Sequence, residues 1–517
     1  MSSQRQSTVE VRLTNLPNTI FIVSSIASLL LCVLRVVANI SILHPIHTYT
    51  TGYEENSLFD VWKWAKDIQV YTNAHEIPFS AAYFNWFFYS FYGFFTKHFF
   101  YICGDASSCD QWLPTVCRLV SFSLCLIGIS VLSHTMRIVS CRRIPLVFCA
   151  LCASYVFLGP LVGFNAITCR PDIGALFFEG IAILFFVSIL SRGQKATVRD
   201  SLIFALLTYM SWSFKQSNVA VLLAGGAMLA VSRAWAPLLC LVCSSLLLWT
   251  ATFAIGGEFM IMNLIGSVQQ SFDIREFTRN ISSFTLKSSP FLFVCLCTAI
   301  FCHREIKSWF EDRTFSFIFI LVICSAALAL SGIAKTGARD NYFFTLFLSL
   351  SLLTTWVSAN ISPSKIALIQ TAYSVGWLVN LIFVATVIFR PAWAPEGLDW
   401  EVSNSTLSRR YESLRSCLET LPSPVYVDDR YANLPWINRG PEFFVIPFGY
   451  YEQKAEGDSF EGGGIEGLLA SGYFRSAVTL NGDALLAPGM KSLGDDDACK
   501  GFDVYGYSQI PADPSSA

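Results

Sequence analysis

GYEENSLFDVWKWAKDIQVYTNAHEIPFSAAYFNWFFYSFYG, residues Gly52 to Gly93, separates the first apolar stretch of the chain from everything that follows. It carries adjacent carboxylates at Glu54 and Glu55, further ones at Asp60, Asp67 and Glu76, and a dense aromatic run from Tyr83 to Tyr92. A loop acidic at its start and aromatic at its end, lying beside a membrane, can hold a base next to a lipid-linked substrate. The rest of the chain is read by asking which of its polar residues face this loop.

The chain of 517 residues is 53% hydrophobic and only 14% charged. A soluble domain carries about 25% charged residues, so this is read as a membrane protein. A net charge of −2 gives no case for nucleic acid. Most of the 17 cysteines sit in apolar runs such as Cys149 to Cys152 and Cys240 to Cys243, where they behave as small buried hydrophobes. The first apolar segment follows a polar N-terminus, is too long for a signal-peptide core and lacks a small-residue cleavage site. It is therefore read as an uncleaved spanning helix.

About eleven spanning segments are expected, each near the length of about 20 apolar residues that a bilayer needs. They are Asn18 to Leu43, Thr115 to Met136, Ile144 to Phe164, Ile173 to Ser191, Ser201 to Trp212 and Asn218 to Val231. Pro237 to Ile255, Pro290 to Phe301, Phe315 to Ile333, Tyr342 to Ala359 and Ile366 to Phe389 complete the set. The expected fold is an all-α polytopic membrane bundle with a small C-terminal α/β domain outside the membrane. Its parts are an N-terminal tail at 1–17, a membrane domain at 18–389 with a large first external loop at 44–114, and an outer domain at 390–517.

Basic residues fall in alternate loops: Arg137, Arg142 and Arg143; Arg192, Lys195 and Arg199; Arg233; Arg304, Lys307 and Arg313; Lys365. Such loops lie on the cytoplasmic side, which puts the N-terminus there too, and the acidic loop and the C-terminal domain outside. In that outer domain Pro424 to Val427, Phe443 to Pro447 and Ser476 to Leu480 read as strands. Ser408 to Thr420 and Ile465 to Ser471 read as helices. The tail Gly494 to Ala517 reads as loosely ordered. Cys103 with Cys109, and Cys417 with Cys499, are candidate disulfides on the outer side. Asn280 and Asn404 open sequons there.

Three short outward connections carry cations at helix ends. They are Asn165 to Asp172 with Arg170, Phe214 to Ser217 with Lys215 and Gln216, and Lys335 to Tyr342 with Arg339. Charges at a membrane boundary are costly unless paired or near water, so three such loops on one side point to a polar cavity. Transfer from a lipid phosphate needs cations, or a divalent metal, at the leaving group, and a carboxylate base at the acceptor hydroxyl. Lys215, Lys335 and Arg339 suit the first task and Glu54 or Glu55 the second.

Each residue also has a structural reading. Glu54 and Glu55 can cap the following helix, Arg170 and Asp172 can form a local loop-end pair, and Lys215 can snorkel. Asp60 and Asp67, with Lys63 between them, read as a solvated face with local ion pairing. The aromatics of Tyr83 to Tyr92 read as an interfacial belt or a packed amphipathic helix. His44, His47 and His75 share the loop with the acids but lack HxH or HExxH spacing, so no metal ligand is assigned.

The layout resembles the GT-C class of membrane glycosyltransferases, in the branch of the protein O-mannosyltransferases and the bacterial aminoarabinose–lipid A transferases. The resemblance rests on Tyr53-Glu54-Glu55, then Pro78 and the run Tyr83 to Tyr89. It continues with Arg170-Pro171-Asp172, Lys215-Gln216, the stretch Gly337 to Asn341-Tyr342, and the closing α/β domain. It implies a polyprenyl- or dolichyl-phosphate-linked sugar donor. It also implies inverting transfer on the non-cytoplasmic face to a lipid, glycan or protein acceptor, with a first-loop acid as base. The substrate-binding residues would be Arg170, Asp172, Lys215, Gln216, Lys335, Arg339, Asn341 and Tyr342. Some members use a metal and others do not. The family often has Asp-Glu or Asp where this chain has Glu-Glu. The competing class is a multi-pass transporter or flippase, but such proteins usually carry internal repeats with broken helices, and no repeat is visible here. The compact loops and the lack of a C-terminal retention signal point to a bacterial inner membrane.

Overall fold

The computed structural model describes residues 19–20, 22–31, 53–77, 79–104, 109–265, 272–335, 338–388, 413–414, 416–427, 450–479, 490–492, 499 and 502–507. Each of the eleven apolar segments holds a helix where it is described, though the third is helical only from Leu146 to Leu158 before a turn. Two helices come first, α1 (Ile22–Leu31) and α2 (Tyr53–Ala65) of the acidic loop. Then follow α3 (Trp86–Cys103), α4 (Leu113–Val139), α5 (Leu146–Leu158), α6 (Pro171–Ser191), α7 (Val198–Phe214) and α8 (Ala220–Val231). The second half holds α9 (Trp235–Ile265), α10 (Ile274–Lys287), α11 (Ser289–Phe301), α12 (His303–Trp309), α13 (Arg313–Gly332), α14 (Phe344–Asn360) and α15 (Ile366–Phe383).

Among the described residues six helices are long and apolar enough to cross a membrane, and a seventh span appears if α10 and α11, bent by 85° at their junction, are taken as one. Helices α5, α7 and α8 are shorter than a full bilayer crossing. The ends of these helices follow local chemistry. Pro171 opens α6, where its missing N–H costs nothing. Thr197 and Asp200 form a reciprocal capping box at α7. Non-helical backbone at Gly257 kinks α9.

Helix α10 has no counterpart among the expected segments. Phe277, Ile281 and Phe284 line its packed side, while Arg275 and Arg279 face outward. Its Asn280 is 1% exposed and donates to the carbonyls of Ile333 and Ala338 at 3.1 Å each. That overturns the expectation of an outward sequon, because the amide is spent on packing α10 to the end of α13. Asn404 lies outside the described residues.

The C-terminal domain holds a four-stranded sheet, β1 (Val425–Val427), β2 (Ser476–Thr479), β3 (Met490–Ser492) and β4 (Asp503–Tyr507), in the order β1-β2-β4-β3. Strands β1 and β2 are parallel and the other two pairings antiparallel. Two short helices, α16 (Tyr450–Glu456) and α17 (Gly464–Ala470), accompany it. Strand β4 lies inside the tail expected to be loose, and the Cys417–Cys499 disulfide ties that tail back. Cys103 and Cys109 are also bonded. The expected strand at Phe443 to Pro447 lies outside the described residues.

The domain sits on the first loop. Phe79 is fully buried against Tyr450 and Phe460, and Glu461 exchanges hydrogen bonds with His75 and Ile77 at 2.9 Å. From the other side Asn263, near the end of α9, accepts from Ala82 N at 2.6 Å and donates to Thr72 O at 2.8 Å. The loop is thus fixed between bundle and outer domain.

Candidate active site

The three outward connections meet at one carboxylate. Asp172, 2% exposed, stands in the first turn of α6, where the helix dipole favours an anion. Lys215 Nζ lies 2.6 Å from its Oδ1, Asn341 Nδ2 donates to the same oxygen at 2.9 Å, and Arg170 Nε reaches Oδ2 at 3.1 Å. Arg170 is the extended N-cap of α6, Lys215 the extended C-cap of α7, and Asn341 lies in a 3₁₀ turn (Asp340–Phe343) before α14. Two cations thus face this one carboxylate. The ring of Tyr342 stands 5.2 Å from Lys215 Nζ. Gln216 Nε2 donates to Tyr83 O at 2.9 Å, joining this cluster to the aromatic end of the first loop.

A second buried pair adjoins it. Glu54, fully buried, receives Arg118 Nε at 3.2 Å and Nη2 at 3.1 Å, together with the Cys169 amide at 3.0 Å. The segment Cys169-Arg170-Pro171-Asp172 therefore links both clusters, its first amide on Glu54 and its last side chain on Lys215. Ser121 fixes this segment by donating to Thr168 O at 2.6 Å. With both oxygens occupied, Glu54 has the geometry of an anchor. The side chain of Glu55 lies outside the described residues, as do Tyr53's side chain, His44, His47 and Pro78.

Lys335 and Arg339 are exposed, and among the described residues neither side chain makes a hydrogen bond or ion pair. Asp340 beside them is held by Ser283 at 2.9 Å and by Lys287 of α10. No group of three or more His, Cys, Asp or Glu side chains with metal-site geometry occurs among the described residues.

Asp60 and Lys63 depart from the solvated face expected of them. Both are buried, at 2% and 4% exposure. Lys63 Nζ lies 2.7 Å from Asp60 Oδ1 and donates to Ser80 Oγ at 2.8 Å and Val70 O at 3.0 Å. Burial pushes the Asp60 carboxyl up to about 6 despite the opposing Lys63 ammonium. Asp67 does remain exposed, paired with Lys97 at 2.6 Å. The aromatic run is packed, with Asn85 capping α3 and Phe88, Tyr89 and Tyr92 buried. Sequence reading passed over Arg118 and Glu179, the latter 1% exposed and accepting from Thr345 at 2.7 Å. Both are ionisable residues inside apolar helices, a signal that marks functional or tightly paired positions.

No family model matches the chain, and no curated protein does. Among solved structures, ArnT from Cupriavidus metallidurans, crystallised with undecaprenyl phosphate, aligns over 96% of this chain and 98% of its own, with a TM-score of 0.50 and 12% identity. The chain shares the overall fold of that ArnT. At that identity the likeness establishes architecture, a multi-pass membrane bundle with a small terminal sheet, and the chemistry is argued from the site. In this chain the Glu54 anchor and the Asp172 cluster lie at one end of α4 and α6.

Proposed function

We propose that the chain is an integral-membrane glycosyltransferase that takes a sugar from a polyprenyl-phosphate or dolichyl-phosphate donor. It transfers that sugar with inversion to a lipid, glycan or protein acceptor on the face of the first loop. The observation that carries this reading is the convergence of Arg170, Lys215 and Asn341 on one carboxylate, within a fold like that of a protein crystallised with undecaprenyl phosphate. The base takes the acceptor hydroxyl proton, the resulting oxygen bonds the anomeric carbon, and the bond from that carbon to phosphate breaks. The departing polyprenyl phosphate gains negative charge, which Arg170 and Lys215 neutralise. Asp172 holds both cations in place beforehand.

Of the two loop acids, Glu54 is committed to Arg118, and the base role falls to Glu55, one residue on. Tyr342 and Gln216 shape the donor site beside Lys215. Exposed Arg339 and Lys335 attract the donor at its mouth. The topology that goes with this reading has eleven spans, the N-terminus in the cytoplasm and the C-terminal domain outside, in a bacterial inner membrane.

The test is a transfer assay on purified protein in lipid, with a panel of radiolabelled polyprenyl-phosphate sugars. Turnover by wild type and not by Glu55→Gln supports the enzyme and its base together. Protein that is folded, inactive with every donor, and yet moves the lipid across a sealed vesicle belongs to the flippase class.

A further inference from the structure

At the end of the bundle opposite the first loop, a cavity of about 630 Å³ opens between the ends of α4 and α6 and the connection from α4 to α5. Its polar lining is His134, Arg137, Arg142, Ser188, Ser191 and Arg192. No carboxylate lines it. Arg137 spends its Nη1 on the backbone carbonyls of Arg142 (2.9 Å) and Ile144, which orders the connection and leaves the guanidinium charge uncompensated. Arg142 and Arg192 are exposed and make no ion pair among the described residues. The nearest acid along the chain, Asp200, is committed to its own helix cap through Thr197.

The same face shows a compensated cation in Lys365, paired with Glu305 at 2.7 Å; Arg143 turns away from the cavity to the neutral acceptors Ala359 O and Asn360 Oδ1 at 2.9 and 3.0 Å. The cavity thus gathers three arginines that make no ion pair among the described residues.

Its depth is fixed by two packed helices. Arg118 and Arg137 are nineteen residues apart on α4, which is about 28 Å along a helix. Asp172 and Arg192 are separated by about 30 Å along α6 on the same measure. The hydrocarbon core of a bilayer is about 30 Å thick. With the Asp172 cluster at one boundary, the arginines stand at the headgroup level of the other. Ile138 and Leu146 also line the cavity, giving an apolar side against which an acyl chain can lie.

We propose that this cavity is a binding site for a phosphate-bearing anion, supplied by the headgroup of an anionic phospholipid in the leaflet opposite the first loop. Guanidinium groups offer paired donors that match phosphate oxygens, whereas the hydroxyls of Ser188 and Ser191 beside them donate to the carbonyls of Leu184 (2.7 Å) and Ser188 (3.2 Å) of their own helix. The proposal is independent of the transfer reaction, since it uses no residue of the Asp172 cluster.

The experiment compares full-length wild type with the R142Q/R192Q double variant in nanodiscs of phosphatidylcholine doped with phosphatidylglycerol. Arg137 is left intact because it orders the connection. Native mass spectrometry after release counts retained anionic lipid. Each basic side chain near the surface contributes a little over fivefold, so the double variant is expected to retain the lipid about thirtyfold more weakly. The R142K/R192K variant, which keeps the charge, is expected to retain most of the binding and shows that this connection tolerates substitution. Excess inorganic phosphate that fails to displace the lipid assigns the site to the headgroup, whereas full displacement assigns it to soluble phosphate. Equal retention by wild type and R142Q/R192Q overturns the proposal.

Discussion

Glu54→Gln and Glu55→Gln separate two uses of a carboxylate. Glu54→Gln leaves Arg118 charged and buried without its anionic partner, and breaking such a pair costs about 3–5 kcal/mol. The expected result is a clear drop in melting temperature in detergent, much of it recovered when Glu54→Met and Arg118→Met are combined. Glu55→Gln is expected to melt like wild type and to lower turnover by about 10²–10⁴-fold. Lys215→Ala is expected to raise the donor KM and lower turnover with little loss of stability; unchanged donor use would leave Lys215 as a structural partner of Asp172. Asp60 gives a pH dependence. Its carboxyl, pushed up to about 6 by burial, stays protonated in the folded chain at pH values where the unfolded chain has ionised. The associated stability is complete below about pH 4 and is lost as pH rises through about 6, a change on the order of 3 kcal/mol. Asp60→Asn is expected to flatten the melting temperature across that window. None of these pairings is written in spacing: Asp60 and Lys63 sit three apart on a helix whether solvated or buried, and only the covering loop, through Ser80 and Val70, decides which.

Helices α13 and α14 meet closely beside the site. A Cβ added at Gly332 would fall 2.3 Å from the Tyr342 ring, the ring that faces Lys215 Nζ. Gly332→Ala is therefore expected to shift Tyr342 and weaken donor use several-fold at a stability cost of about 1–3 kcal/mol; an unchanged donor KM would show that Tyr342 has no part in the site. The helices themselves were legible, because apolar runs bounded by Pro, Asp and Arg leave little else to form. Helix α10 was not, since a polar-looking stretch with a sequon reads as loop until Phe277, Ile281 and Phe284 find a surface to cover. The length of α5 was also unreadable, as apolar residues continue past Leu158, where the helix ends.

At the scale of the whole molecule the outer domain acts as the floor of the first loop. Phe79→Ala removes the ring packed between Tyr450 and Phe460, a change that costs about 3–5 kcal/mol in a well-packed core. The expected outcome is faster proteolysis between Gln69 and Ala82 with the membrane bundle intact, read by mass spectrometry of the fragments. Composition and periodicity alone determined that the chain is a multi-pass membrane protein and that a small sheet-bearing unit follows the bundle. Those properties are local, or sum over local terms, and a linear text carries them. The tertiary structure alone decided that Asp172 is the point where Arg170, Lys215 and Asn341 meet, and that Glu54 is an anchor held by Arg118. It also placed β4 inside the tail. Apart from the local pair of Arg170 with Asp172, these are contacts between residues tens to hundreds of positions apart, and their partners are chosen by how the helices pack, which no single segment encodes.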